Sequence, residues 1–276
     1  VFPTNDCSIC VLAPKMAEVY ANPMIKLMTY SEILAIEGTV GHFRVTGVTK
    51  PRYVDPTLCK GCINECSSAC PVEVPNEYDF GLGKRKAIYM AIPQSVPLVA
   101  CIDTNACIGC GLCAEACPAD AVKYDQQSEE FKLDVGAIIV ATGWQPFDAS
   151  RKEEYGFGRY RDVVTTLQIE RMLNAAGPTR GDVVRPSTGE IARSVAFIQC
   201  VGSRDQTVGN PYCSRICCMA SLKNAQLIKE RYPDADVSIH YIDIRAGGEG
   251  YEEFYLRAQR LGINFIRGRV SSVEEG

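Results

Sequence analysis

Cys107-Ile-Gly-Cys110-Gly-Leu-Cys113-Ala-Glu-Ala-Cys117-Pro118 is the stretch on which the reading of this chain turns. Its C-x2-C-x2-C-x3-C-P spacing is that of a ligand run for a four-iron, four-sulfur cluster, in which three close thiolates wrap one cubane and the fourth reaches a neighbouring cubane. Gly109 and Gly111 let the loop curl so that backbone amides face the sulfides, and Pro118 turns the chain away. A run of this kind implies a second one.

The second run lies upstream, as Cys59-Lys-Gly-Cys62-Ile-Asn-Glu-Cys66-Ser-Ser-Ala-Cys70-Pro71. It has one more residue between its second and third cysteines, which is expected to bulge the loop without changing the ligands. Cross-ligation of the bacterial ferredoxin kind then assigns Cys59, Cys62, Cys66 and Cys117 to one cluster, and Cys107, Cys110, Cys113 and Cys70 to the other. Zinc, whose sites also use C-x2-C pairs, leaves the two three-plus-one runs and their closing prolines unexplained.

Composition narrows the rest. The chain has 276 residues, 46% of them apolar, and a net charge of -4, which suits about two globular domains and excludes a clustered basic surface for nucleic acid. No apolar run approaches the ~20 residues that span a bilayer. Fifteen cysteines cannot all pair as disulfides within one chain, and without an export signal at Val1 the expected compartment is the reducing cytoplasm.

Outward from the two runs, the chain reads as a host fold with an insert. Ile25–Tyr30, Glu32–Ile36 and His42–Val48 have the composition of short strands in a small meander. Residues 50–127 hold nine cysteines and few long apolar stretches, as expected of a small α+β domain whose core is largely its clusters. Phe131-Lys-Leu-Asp-Val-Gly-Ala-Ile-Ile-Val-Ala-Thr-Gly143 reads as a buried strand with a glycine turn, where the host resumes over 128–150 after its first part, 1–49. Residues 151–192 form a polar connection. From 193 to 276 strands alternate with helices: strands at Ser194–Gln199, Val237–Ile244 and Ile263–Gly268, helices at about Ser214–Arg231 and Tyr251–Leu261. That order predicts an α/β unit with a parallel sheet.

Four further cysteines fall in this last part, as C-x12-C-x3-C-C: Cys200, Cys213, Cys217 and Cys218. The end of a strand and the start of a helix adjoin in an α/β unit, so the four meet where the helix dipole favours thiolates. Spacing alone leaves two readings open, an atypical cluster and a group of buried or redox-active thiols. Cys7 and Cys10 form a C-x2-C pair that is either a redox dithiol or structural. Cys101 stands outside both runs as a buried thiol. His42 and His240 fall in strands, and Lys84-Arg85-Lys86 is a short basic run of the kind that is usually a solvated face.

Phe2-Pro-Thr-Asn-Asp-Cys-Ser-Ile-Cys10, Pro71-Val-Glu-Val-Pro-Asn-Glu-Tyr78, Arg85-Lys-Ala-Ile-Tyr89, Phe197-Ile-Gln-Cys-Val-Gly-Ser-Arg-Asp205 and Cys213 to Cys218 closely resemble the A subunit of heterodisulfide reductase. The resemblance covers essentially the whole chain. It implies a thioredoxin-reductase-like flavoprotein with FAD, an inserted two-cluster ferredoxin domain and an unusual cluster held by Cys200, Cys213, Cys217 and Cys218. It also implies partners: the other subunits of that reductase, a hydrogenase or formate dehydrogenase that feeds in electrons, and ferredoxin, with the flavin splitting an electron pair between ferredoxin and a disulfide acceptor in methanogenesis. By the same resemblance Ala141, Thr142 and Gly143 match a flavin-contacting turn. No G-x-G-x-x-G occurs, however, so the chain is expected to be an internal fragment or one piece of a split protein. An electron wire or docking module without its own flavin is the competing expectation.

Overall fold

A computed structural model describes residues 1–275 as a mixed α/β structure in two compact units, Ile9–Gly143 and Val1–Ser8 with Trp144 onward.

In the first unit, helix α1 (Ser8–Ala21) precedes an antiparallel pair, β1 (Ser31–Thr39) and β2 (His42–Thr49). Helix α1 carries Pro14 in its interior and buries none of its side chains. The segment expected as a first strand, Ile25–Tyr30, is turn and irregular chain: Ile25 N–H closes a turn onto the Asn22 carbonyl, and Tyr30 adopts φ 60°, which ends extended backbone just before β1.

Beyond β2 come α2 (Ile63–Ala69), β3 (Glu73–Pro75), β4 (Lys84–Lys86), β5 (Ile88–Tyr89), β6 (Cys101–Ile102) and α3 (Leu112–Glu115). The chain then returns as β7 (Glu129–Val135), antiparallel to β2 with Thr49 opposite Glu129 and Phe43 opposite Val135. Residues 50–128 therefore leave and re-enter the sheet at one point. The expected long buried strand stops at Val135: the ladder with β2 ends at Phe43, one residue from the start of β2, and Gly136 gives its carbonyl to Gly41 N–H in the turn before that strand. Ala137–Ala141 is irregular, with Ile139 92% and Val140 76% exposed, so that run is not a buried strand here.

An internal repeat, not singled out in the sequence, organises the excursion. Asp55 accepts from Thr57 N–H at 2.7 Å through its side chain and from Cys59 N–H at 3.0 Å through its carbonyl. Asp103 does the same with Asn105 N–H at 3.0 Å and Cys107 N–H at 2.8 Å. The chain entering each run pairs with the chain leaving the other: Val54 bridges Val122, and Ile88 lies opposite Ile102. The small core between them is Val54, Ala87, Ile88, Val99, Ala100, Ile102, Ala121 and Val122, together with Cys66, Cys70 and Cys113.

In the second unit, α4 (Thr166–Leu173) interrupts what the sequence reads as a plain connection. Its signal was Thr165-x-x-Gln168, which forms a capping box with both reciprocal bonds present. The expected alternation follows: β8 (Ser194–Ile198), α5 (Cys217–Arg231), β9 (Asp236–Tyr241), α6 (Tyr251–Arg260) and β10 (Asn264–Arg267), with the parallel sheet ordered β10-β9-β8. Val237 and Ile239 alternate inward along β9, and α5 is covered on several sides, burying Met219, Leu222, Ala225 and Ile228 against its neighbours β9, α4 and α6. Burying the larger of these side chains, Met219, Leu222, Ile228, Val237 and Ile239, contributes ~1.5–3 kcal/mol each. This packing fixes where the N-terminus of α5 meets the end of β8.

Candidate metal centre

Cys70, Cys107, Cys110 and Cys113 line one cavity with Val72, Ala87, Ile88, Ile102, Ile108, Gly111 and Tyr124. One cysteine of the first run thus stands with three of the second. Apolar side chains close the walls, and the phenol of Tyr124 lies 3.4 Å from the Cys113 thiol. Burial, and then that contact, holds the Tyr124 hydroxyl well above its ordinary pKa, so it remains a hydrogen-bonding O–H.

The other set gathers around Cys66. Burial first, and then the neighbouring Cys117, Cys113 and Cys62, push the Cys66 thiol up to about 11. Cys66 sits on α2, which begins directly after Cys62, and its thiol points at the Ile63 carbonyl at 3.5 Å. The additional residue of this run is therefore taken up by a helical turn instead of a loop bulge. Gly61, at φ 73°, packs so closely on Leu98 that a side chain there would lie 2.5 Å from it. Cys59 is half-buried, and Cys62 is exposed.

Backbone amides already point at two of these sulfurs, Gly109 N–H at Cys107 Sγ (3.4 Å) and Ala121 N–H at Cys117 Sγ (3.3 Å). Among the described residues no three His, Cys, Asp or Glu side chains are gathered for a single metal ion. Soft sulfur donors with amide N–H groups aimed at sulfur suit an iron–sulfur cluster.

In the second unit, Cys200, Cys213, Cys217 and Cys218 come together. The loop after β8 begins at Cys200 with φ 62°, so the chain leaves the strand abruptly. Cys217 opens α5 and accepts hydrogen bonds from Cys200, Cys218 and Ser214, the last at 3.7 Å. Those bonds draw the Cys217 thiol well below its ordinary pKa, while Cys200 and Cys218 are pushed up by their bonds to it and by burial. Arg215 N–H donates to Cys213 Sγ at 3.3 Å, and the Cys218 thiol lies 3.8 Å from the Asp243 carbonyl. Gln199, which precedes Cys200, has a buried side-chain nitrogen without a hydrogen-bond partner. Four sulfurs at the start of a helix suit an anionic cluster.

The loop from 200 to 213 is anchored by charge that the sequence pattern does not reveal. Asp205 is buried and accepts from Thr207, from Lys152 at 2.9 Å and from Arg269 at 2.8 Å. These bonds, Thr207's first, hold its carboxyl well below the usual range. Arg204 reaches Asp243 at 2.6 Å, and Arg245 binds the same carboxylate at 3.0 Å. Gly202, at φ 72°, lies against the ring of Phe147, where an added Cβ would meet it at 2.2 Å.

The remaining candidates lie apart from these sets. Cys101 is buried at the start of β6, hydrogen-bonded with Tyr30. Cys7 precedes α1 and Cys10 lies in its first turn, both exposed. His42 is exposed, and His240 faces Ser238 Oγ at 3.4 Å. The basic run is paired within its own surroundings, Lys84 and Lys86 with Glu73, and Arg85 with Glu77 and Asp103. Ala141, Thr142 and Gly143 are exposed in irregular chain. No helix of the described residues is long and apolar enough to cross a membrane.

A model of the 4Fe-4S binding domain matches residues 100–123, the second cysteine run with the strand that enters it. The whole chain is 64% identical to the A subunit of the ferredoxin/F(420)H(2)-dependent CoB-CoM heterodisulfide reductase of Methanosarcina acetivorans, covering 35% of that protein. It is 56% identical over 275 residues to the iron-sulfur A subunit of the CoB-CoM heterodisulfide reductase of Methanocaldococcus jannaschii, and 54% identical to the A subunit of the H(2):CoB-CoM heterodisulfide,ferredoxin reductase of Methanothermobacter thermautotrophicus, covering 42% of each. The chain thus spans between 35% and 42% of the length of these relatives. From end to end, this chain is homologous to a segment of the A subunit of heterodisulfide reductase.

Proposed function

We propose that this chain is the electron-relay segment of a heterodisulfide-reductase-type oxidoreductase. Cys59, Cys62, Cys66 and Cys117 hold one four-iron cluster, Cys107, Cys110, Cys113 and Cys70 a second, and Cys200, Cys213, Cys217 and Cys218 a third. The observation that carries this reading is the cavity lined by Cys70 together with Cys107, Cys110 and Cys113, the cross-run set that a cluster pair requires. When bound, such a cluster accepts and releases single electrons. The residues around it do the rest: Ile88 and Ile102 exclude water, the Gly109 and Ala121 amides hold sulfur in place, and Tyr124 supplies a further polar contact.

The complete protein is read as a thioredoxin-reductase-like flavoprotein whose FAD splits electron pairs between ferredoxin and a disulfide. Its electrons come from a hydrogenase or formate dehydrogenase through partner subunits, in the reducing cytoplasm that suits so many thiolates. The names of the relatives, with their ferredoxin and heterodisulfide, support this assignment. In this chain Ala141–Gly143 is exposed and G-x-G-x-x-G is missing, so the relay is its own contribution and no step runs through flavin here.

The test is anaerobic purification with iron, acid-labile sulfide, zinc and flavin measured on one preparation, and paramagnetic resonance after reduction. About twelve irons per chain are expected for three clusters, and about eight would leave only the ferredoxin pair. Zinc in place of iron would sink the reading.

A further inference from the structure

Two guanidinium groups meet on one carboxylate, Asp243, whose residue touches a thiol of the Cys200–Cys218 set. Arg204 belongs to the loop that starts at Cys200, and its Nη1 lies 2.6 Å from Asp243 Oδ1. Arg245 follows β9 and grips Asp243 with Nε at 3.1 Å and Nη2 at 3.0 Å. The carbonyl of the same Asp243 is the contact of the Cys218 thiol at 3.8 Å, so the carboxylate that joins the two cations belongs to a residue touching a thiol of the set. The charges are within electrostatic reach of the sulfurs: Arg204 favours ionised Cys200, and Arg245 interacts with Cys213 and Cys218. Two positive charges and one negative leave a net positive charge beside a group that becomes more negative on reduction.

We infer that Arg204, Asp243 and Arg245 set the reduction potential of the centre held by Cys200, Cys213, Cys217 and Cys218, the arginines raising it and Asp243 moderating them. The inference rests on the proposed reading that these cysteines hold a cluster. None of the three side chains is a ligand; they act on the centre through its field, as outer groups around metal sites do. An added electron is stabilised by nearby cations, so each arginine favours the reduced form, and the shared carboxylate offsets part of that. Arg204 is the stronger of the two, since its side chain is 26% exposed against 56% for Arg245 and is less screened by water and salt.

The experiment is a redox titration of the intact, anaerobically purified protein with dithionite as the one-electron reductant, followed by paramagnetic resonance of this centre, with iron determined on each preparation. R204M and R245M are expected to lower the potential, R204M more, so that at a fixed poise the ratio of reduced to oxidised centre falls by about tenfold for R204M, or about 59 mV for a one-electron couple. D243N is expected to move it the other way, and R204K and R245K, which keep the charge, to stay near the parent value. A merely structural role would not give opposite signs. If the methionine variants lose iron, D243N and the lysine variants still decide the matter. An unchanged potential in D243N, shifts of one sign in all variants, or loss of the centre from the lysine variants overturns the inference. About eight irons in the parent protein would instead overturn the cluster reading on which it rests.

Discussion

The two cysteine-rich regions reach comparable thiol sets by different routes. In the first unit, three of the four sulfurs of each set come from one short loop and helix turn, and the partners that order them are backbone amides and a repeated aspartate turn. In the second, the four sulfurs are collected from a strand end, a loop and a helix start, and beyond the Arg215 amide, Ser214 and the bonds among the thiols themselves, the surrounding loop is anchored by charged side chains drawn from residues 152, 204, 205, 243, 245 and 269. The first arrangement is encoded by spacing and the second by topology. A local site tolerates change in its surroundings, whereas a topological one depends on every element that converges on it.

The largest expected effect tests whether the two regions are separable. Replacing Cys113 by alanine should remove about four of about twelve irons and leave the signal of the Cys200–Cys218 centre intact, while replacing Cys217 should do the reverse. Loss of all iron from either variant would dissolve the contrast.

Glycines sharpen it next. Gly202 combines φ 72° with a Phe147 ring atom at 2.2 Å from an added Cβ, whereas Gly81, in the first unit and away from the thiol-lined cavity, has φ 80° and nothing near. Alanine at 81 should cost only the left-handed backbone penalty, about 1–2 kcal/mol. At 202 the ring must also move, so the fall in melting temperature should be clearly larger. Equal falls would mean that the Cys200 loop yields as readily as a turn of the first unit.

The smallest effect is a pH dependence. Asp205 is depressed by Thr207, Lys152 and Arg269, so its contribution is fully present above the ordinary carboxylate range and is lost as pH falls through and below that range. The melting temperature of D205N should therefore fall less steeply than that of the parent between neutral pH and about pH 3. Parallel curves would show that the buried ion cluster does not stabilise the loop.

This contrast also explains what could be read in advance. The two runs were legible because their ligands are neighbours in sequence. The strands at 194, 236 and 264 were legible because alternation and length distinguish them, each to within a few residues. Ile25–Tyr30 and Ala137–Ala141 were misread because composition does not say whether a strand has a partner, and Tyr30 adopts left-handed backbone that no pattern announces. Helix α4 did carry its capping-box signature, Thr165 with Gln168. Lys152, Asp205, Arg269 and the Arg204–Asp243–Arg245 clamp left no trace, since their members are up to 117 positions apart, from Lys152 to Arg269, and meet only in the folded chain.

Thr49 and Glu129 lie directly across one ladder from each other. Paired antiparallel residues are about 5 Å apart, so as far as β2 and β7 are concerned, everything between them is equivalent to a hairpin turn. Closing even a long loop adds only slowly to the entropy cost of pairing. The excursion is thus portable in the engineering sense. A short Asn-Gly turn could stand in for it without disturbing the register, and another antiparallel hairpin could receive it, which makes wired and unwired forms of the same scaffold accessible by a single splice.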